Sequence, residues 1–191
     1  NLFIGISVGA NVLIGRYYGA NDRKNVEETL HSAIFTAAVS GIVMIFVGIL
    51  LARPLLELMG TPDNVLDLAV LYMRIYFIGM PAFMIYNFGA AALRSVGDTK
   101  RPLYFLLAAG IVNVLFNLLF VIVFHMGVAG VAIATIISQA LSALWVVRFL
   151  SGPRTQLKLR RENLHIRWKT YLPCMALGMS PFVMQSTEGL I

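Results

Sequence analysis

Long stretches without a formal charge are the feature that most constrains what this chain can fold into. Residues 29–52, 75–93 and 102–147 contain no Asp, Glu, Lys or Arg. An α-helix needs ~20 residues to cross the ~30 Å hydrocarbon core of a membrane. The first two stretches match one span each, and the third is about twice as long. The turn-like residues 125–130 at its centre predict two helices joined by a short loop.

Two further apolar stretches, residues 1–15 and 170–187, predict incomplete spans at the two ends of the chain. The sequence therefore predicts an all-α, polytopic membrane bundle with four complete and two partial transmembrane helices. Composition agrees, because 13% of residues are charged and 59% are hydrophobic, against about 25% charged in a soluble domain. This excludes a disordered chain. Because Asn1 lies inside an uncharged run, we expect the chain to be a fragment of a longer protein.

The basic residues alternate between the predicted loops. Thirteen of the fifteen Lys and Arg residues fall in the first, third and fifth loops, which predicts that these loops are cytoplasmic. The net charge of +6 therefore reflects membrane topology, and we expect no nucleic-acid partner. The fifth loop, residues 151–171, carries Leu157, Leu164 and Trp168 on one helical face. It is either an amphipathic segment lying on anionic lipid or a solvated basic linker.

Catalytic and metal-binding patterns are missing from the sequence. Cys174 is the single cysteine, and the three histidines lie far apart, so we expect no metal site and no cofactor. Residues 97–100 read GDTK, but the upstream glycine of a phosphate-binding loop is absent. We therefore expect a protein that is not an enzyme, and any transport would use an ion gradient or another subunit.

Four polar side chains are spaced to meet inside the membrane. Asn113 and Asn117 lie on one face of one predicted helix, and Thr135 and Gln139 lie on one face of the next. Because a tight hairpin joins these two helices, all four side chains can converge in one pocket. The alternative is that they only hold the helices together by hydrogen bonds.

Further candidates for function lie within or beside the apolar stretches. Pro81 predicts a helix kink, which either bends during transport or shapes a cavity, and Asn87 follows in the same span. Glu188, preceded by Gln185, is the carboxylate farthest inside an apolar stretch. It is either a site that takes up a proton or an interfacial residue near the end of its span. Arg74 is expected to extend its side chain to the membrane interface.

Five segments of the chain form a recognisable series. They are GANVLIGRYYGAN at 9–21, MGTP at 59–62, YMRIYFIGMP at 72–81, AALRSVGDTKRP at 91–102 and NVLFNLLFVIVFHMGVAGVAIATIISQ at 113–139. Together they cover most of residues 1–150. In residues, order and spacing they resemble the multidrug and toxic compound extrusion (MATE) family of secondary transporters.

The resemblance implies a transporter of twelve helices in two lobes. Residues 1–150 would form helices two to six of the N-terminal lobe, residues 151–171 the cytoplasmic linker between the lobes, and residues 172–191 the start of helix seven. The family's cation site has an Asn and an Asp four residues apart on helix five and a Thr on helix six. Asn113 and Thr135 match, whereas position 117 is Asn in this chain, which weakens the case for sodium. Glu188 resembles an acidic residue that some members carry on helix seven.

The sequence thus predicts an antiporter of a prokaryotic cell membrane that exports organic compounds, chiefly cationic ones, in exchange for H⁺ or Na⁺. Glu188, Asn113, Asn117 and Thr135 would form the coupling site, and Asn87, Gln139 and Gln185 would line the substrate cavity. Small organic molecules, membrane lipid and the remainder of the C-terminal lobe are the expected partners. Two alternatives stay open, a flippase of lipid-linked oligosaccharides and a membrane scaffold subunit that does not transport.

Overall fold

The structure is a computed structural model that describes residues 2–152 together with Leu157, Leu172 and Ala176. These residues form helices and no strand, which confirms the predicted all-α membrane bundle. The helices are α1 (Leu2–Gly19), α2 (Arg23–Leu58), α3 (Asp63–Ile78), α4 (Met80–Ser95), α5 (Lys100–Leu118) and α6 (Gly127–Leu150), and a π-helical turn (Leu119–Val123) extends α5.

Three helices of the described part are long and apolar enough to cross a membrane singly: α2, α5 with its π turn, and α6. Helix α2 has 36 residues, about 54 Å, and extends past both ends of the predicted run 29–52. Its charged ends remain helical because Asp22 caps the first turn, accepting from the Asn25 backbone N–H, and Arg53 pairs with Glu57 one turn later at 2.9 Å.

The predicted span at residues 75–93 consists of parts of two helices, α3 and α4, which together are long and apolar enough to cross a membrane. They meet at an angle of 47° at Gly79, which ends α3 and caps α4. Pro81, the second residue of α4, supplies no N–H to the preceding turn. The span also begins earlier than the charge-free run, at Asp63, so Arg74 lies within α3, where it is exposed.

The hairpin between α5 and α6 is shorter than the turn expected at residues 125–130. Residues 124–126 connect the two helices, and Gly127 already begins α6. Gly130 lies within α6 and is buried. A Cβ at this position would lie 2.9 Å from the Phe120 Cβ, which is too close for a side chain. This glycine therefore serves close helix packing rather than a turn.

The core lies among α1, α2, α4 and α6, whereas α5 packs mainly on α6. Many of the buried side chains are alanines, which let the helices approach closely. Leu157 is also fully buried, against a cluster that includes Ile14, Leu30 and Leu150. Leu157 itself thus packs against the ends of four helices. The two alternatives for the linker stay predictions, because Leu164 and Trp168 lie outside the described residues.

Candidate functional site

A cluster of polar side chains joins α5 to α6 inside the apolar part of the bundle. The Asn113 amide nitrogen on α5 donates to two hydroxyls on α6, Ser138 at 3.1 Å and Thr135 at 3.4 Å. One turn along α5, the Asn117 amide nitrogen donates to the Asn113 side-chain oxygen at 2.8 Å. The structure therefore brings together three of the four side chains that the sequence placed in one pocket.

The direction of these hydrogen bonds decides what the cluster can still bind. Both hydroxyls use their protons on α6 carbonyls, Thr135 on that of Val131 at 3.0 Å and Ser138 on that of Thr135 at 2.8 Å. They therefore act as acceptors toward Asn113. The Asn117 side-chain oxygen is buried and has no hydrogen-bond partner among the described residues. This open acceptor can take a hydrogen-bond donor or a cation.

Ser138 is the member of this cluster that sequence reasoning did not identify. It lies three residues after Thr135, so the two hydroxyls share one face of α6. That spacing was visible in the sequence. Serine in a membrane helix commonly bonds to its own backbone, however, so the spacing alone does not separate a site residue from a packing residue.

Gln139 does not join the cluster. A Cβ added to Gly79 would lie 2.8 Å from the Gln139 side-chain oxygen, so this side chain lies at the break between α3 and α4. The Asn87 amide donates to the Phe83 carbonyl of its own helix at 2.8 Å. In the described part of the chain, these two candidates for the substrate cavity therefore lie outside the hydrogen-bonded cluster.

The break beside Gln139 is enclosed from two sides. On α2, a Cβ at Gly41 would collide with the Pro81 backbone, and one at Gly48 would collide with the Phe77 ring. On α6, Ile136 and Gln139 contact Gly79. The bend near Pro81 is therefore packed between α2 on one side and α6 on the other.

The described part of the cluster contains neutral oxygen atoms and no carboxylate. No group of three or more His, Cys, Asp or Glu side chains suited to a metal ion occurs in the described part of the chain. Hard cations prefer anionic oxygens, so a cation at Asn117 would need a carboxylate from elsewhere. Glu188 and Gln185, the candidates on the last predicted span, lie outside the described residues.

Residues 2–119 match the family model described as MatE. Probable multidrug resistance proteins YoeA and YpnP of Bacillus subtilis are each 33% identical to the chain, over 77% and 76% of it.

The fold also matches a solved structure, described as the inward-facing conformation of a multidrug resistance MATE family transporter of the MOP superfamily. The TM-score is 0.86 at 21% identity, over 93% of this chain and 41% of that chain. The chain spans 33% of the length of the two Bacillus relatives.

Proposed function

The chain belongs to the MatE family of multidrug transporters, as the match over residues 2–119 establishes, and from that premise we propose how the whole protein works. It exports organic, chiefly cationic compounds in exchange for H⁺ or Na⁺ by alternating access. The relatives are named multidrug resistance proteins, which favours drug export over the oligosaccharide flippase and the scaffold subunit considered above.

The observation that carries this proposal is the buried oxygen of Asn117, which has no partner among the described residues. An acceptor left without a donor at membrane depth costs free energy, about 1–3 kcal/mol. A bound cation, or a donor from another segment, removes that cost. A site of this kind binds and releases its occupant during transport, whereas polar residues that only hold helices together pair fully with each other.

Glu188 supplies the negative charge that the Asn113–Asn117–Thr135 site lacks. A single carboxylate in the membrane binds either the coupling ion or a cationic substrate, because holding both leaves an excess positive charge in a low dielectric. Binding of one therefore favours release of the other. Asn87, Gln139 and Gln185 line the substrate cavity and offer neutral hydrogen-bonding groups.

The domain assignment is part of the same proposal. Residues 1–150 form helices two to six of the N-terminal lobe, residues 151–171 the linker between the lobes, and residues 172–191 the start of helix seven. The protein lies in the cell membrane of a prokaryote with its basic loops in the cytoplasm. It needs no cofactor beyond the coupling ion.

The test measures efflux of a fluorescent organic cation from sealed vesicles that contain the full-length transporter. A pH gradient and a sodium gradient are imposed separately, on wild type and on Glu188→Gln. We expect one gradient to drive efflux in the wild type, and the substitution to abolish it while the protein still reconstitutes. Glu57→Gln is the matched control, because Glu57 is an exposed carboxylate at the far end of α2.

An efflux rate that neither gradient changes would contradict the antiport mechanism. Gradient-driven efflux that survives in Glu188→Gln would remove Glu188 from the coupling site and leave the carboxylate to another segment. Loss of efflux in Glu57→Gln as well would show that the assay reports general damage to the protein.

A further inference from the structure

The Ser138 hydroxyl forms the shorter of the two hydrogen bonds that Asn113 makes to α6. Its oxygen is 3.1 Å from the Asn113 amide nitrogen, whereas the Thr135 oxygen is 3.4 Å from the same nitrogen. Hydrogen bonds from nitrogen to oxygen are usually about 2.7–3.2 Å long, so Ser138 provides the stronger of the two bonds. Thr135, the residue that the resemblance assigns to the cation site, is the weaker partner of Asn113.

Ser142, one turn after Ser138 on α6, bonds only to its own helix among the described residues. Both serines are buried, with 6% of Ser138 and 4% of Ser142 exposed. Each hydroxyl donates to an α6 carbonyl at 2.8 Å, that of Ser138 to Thr135 and that of Ser142 to Ser138. The two serines therefore differ in the bond across to α5, which Ser138 alone makes in the described part of the chain.

The bond to Ser138 determines which way the Asn113 amide points. Because the Ser138 hydroxyl uses its proton on the Thr135 carbonyl, only its lone pairs remain for α5. The Asn113 side chain must therefore direct its nitrogen toward α6 and its oxygen toward Asn117.

The Asn113 amide determines in turn which way the Asn117 amide points. The Asn113 oxygen accepts from the Asn117 nitrogen at 2.8 Å, which leaves the Asn117 oxygen at the open end of the series. That oxygen is buried and has no partner among the described residues. If both amides were turned around, the open end would carry N–H groups, which cannot bind a cation.

We propose that Ser138 is a positioning residue of the coupling site. It acts through Asn113 and keeps the Asn117 oxygen directed toward the coupling ion. This inference rests on the antiport function proposed above, because it takes that ion as the occupant of the open acceptor.

Loss of the Ser138 hydroxyl favours the opposite arrangement in the ion-free protein. Both amides can then turn, so that the Asn113 nitrogen donates to the Asn117 oxygen and occupies the acceptor that the ion needs. The ion-bound protein must keep the first arrangement, in which one Asn113 N–H has only the 3.4 Å contact to Thr135. The cost of this poorly paired donor falls on the bound state alone, so the affinity for the ion decreases.

The test uses the full-length transporter in sealed vesicles and varies the concentration of the driving ion, Na⁺ or H⁺. In Ser138→Ala we expect the concentration at half-maximal efflux to rise about fivefold, the lower end of the cost of an unpaired buried donor. The maximal rate should stay within about twofold of wild type, because the substitution weakens binding of the ion and not the transport step.

Two further variants separate positioning from packing. Ser138→Thr keeps the hydroxyl and should remain within about twofold of wild type in both quantities. Ser142→Ala is the matched control, since it removes a buried serine hydroxyl that makes no bond to α5 in the described part of the chain, and it should change neither quantity.

A thermal-unfolding cycle tests the series of hydrogen bonds without transport. Ser138→Ala should lower the melting temperature by about 1–2 °C more in Asn117→Leu than in the wild-type background. The reason is that leucine offers no oxygen to accept from the turned Asn113 amide. Ser142→Ala should cost the same in both backgrounds.

Three results would overturn the proposal. They are an unchanged half-maximal ion concentration in Ser138→Ala, an equal rise in Ser142→Ala, and equal effects of Ser138→Ala in the two backgrounds of the thermal cycle. Failure of the antiport function gives a different result, because wild-type efflux would then respond to neither gradient while the thermal cycle still shows the coupling of Ser138 to Asn117.

Discussion

At the scale of single residues, the amide of Asn117 determines the character of the polar cluster. Its nitrogen donates to the Asn113 oxygen at 2.8 Å, and its own oxygen is buried without a partner in the described part of the chain. An aspartate would place an acceptor where the nitrogen now donates. The amide thus keeps the cluster neutral and internally bonded, whereas a carboxylate would demand a cation between positions 117 and 113.

Asn117→Asp is therefore expected to strengthen sodium binding in the full-length transporter. Two oxygens about 2.8 Å apart would repel each other, and a hard cation between them removes the repulsion. Sodium should raise the melting temperature of the variant and have a smaller effect on the wild type. Sodium at a hundred times its Kd would stabilise the folded state by about 2.7 kcal/mol. The measurement is thermal unfolding in sodium and in potassium at equal ionic strength.

Asn117→Leu is the matched control, because it removes both the donor and the buried acceptor without adding charge. It should respond equally to the two salts. An equal sodium response in wild type and Asn117→Asp would contradict this account of the site.

At the scale of helices, the break between α3 and α4 is the feature that organises the bundle. Its two halves pack in notches of α2 at Gly41 and Gly48, and α6 contacts the break at Gly79. Gly79 has a φ of −79°, which any residue adopts without strain. Glycine is required there because of the close approach of Gln139 and Ile136, not because of the backbone.

Gly79→Ala is expected to destabilise the transporter by about 1–3 kcal/mol. Its new Cβ would lie 2.8 Å from the Gln139 side-chain oxygen and 3.0 Å from Ile136. Gln139→Ala removes the first of these contacts, so the double variant should be more stable than the two single effects predict, with a coupling of about 0.5–3 kcal/mol. Thermal unfolding of the four proteins measures this cycle.

Gly19→Ala is the control for the cycle, since its Cβ would meet nothing within 4 Å and should show no coupling to Gln139→Ala. If the effects at Gly79 and Gln139 simply add, the break does not rest on this side chain, and the packing described for α6 would be wrong at that point.

At the scale of the whole molecule, the sequence predicted the elements that a membrane dictates. Lipid supplies no hydrogen bonds to the backbone, so long charge-free runs must be helices, and α2, α5 and α6 follow. The pairing of Asn113 with Thr135 was also predictable, because the short hairpin forces their helices together. The position of Gln139 beside Gly79 was not predictable from the sequence. It depends on how α3 and α4 pack against α6, and residue spacing within one helix does not determine that contact.

The linker shows the same limit of the sequence. The spacing of Leu157 with Leu164 and Trp168 indicated an amphipathic segment, yet Leu157 is fully buried against Ile14, Leu30 and Leu150. A period of hydrophobic residues predicts an apolar face and leaves open what covers it. In this fold the ends of α1, α2, α4 and α6 cover Leu157.

We therefore expect Leu157 to fix the residues that follow α6 to the ends of α1, α2, α4 and α6. In a cysteine-free full-length transporter, Leu157→Cys should react with a water-soluble maleimide at least about tenfold more slowly than Arg148→Cys, because Leu157 has no exposed surface whereas Arg148 is exposed in the last turn of α6. The two rates should become equal after denaturation, which controls for intrinsic thiol reactivity. Equal rates in the native protein would mean that Leu157 leaves the bundle readily, and the linker would then move independently of the helices it follows.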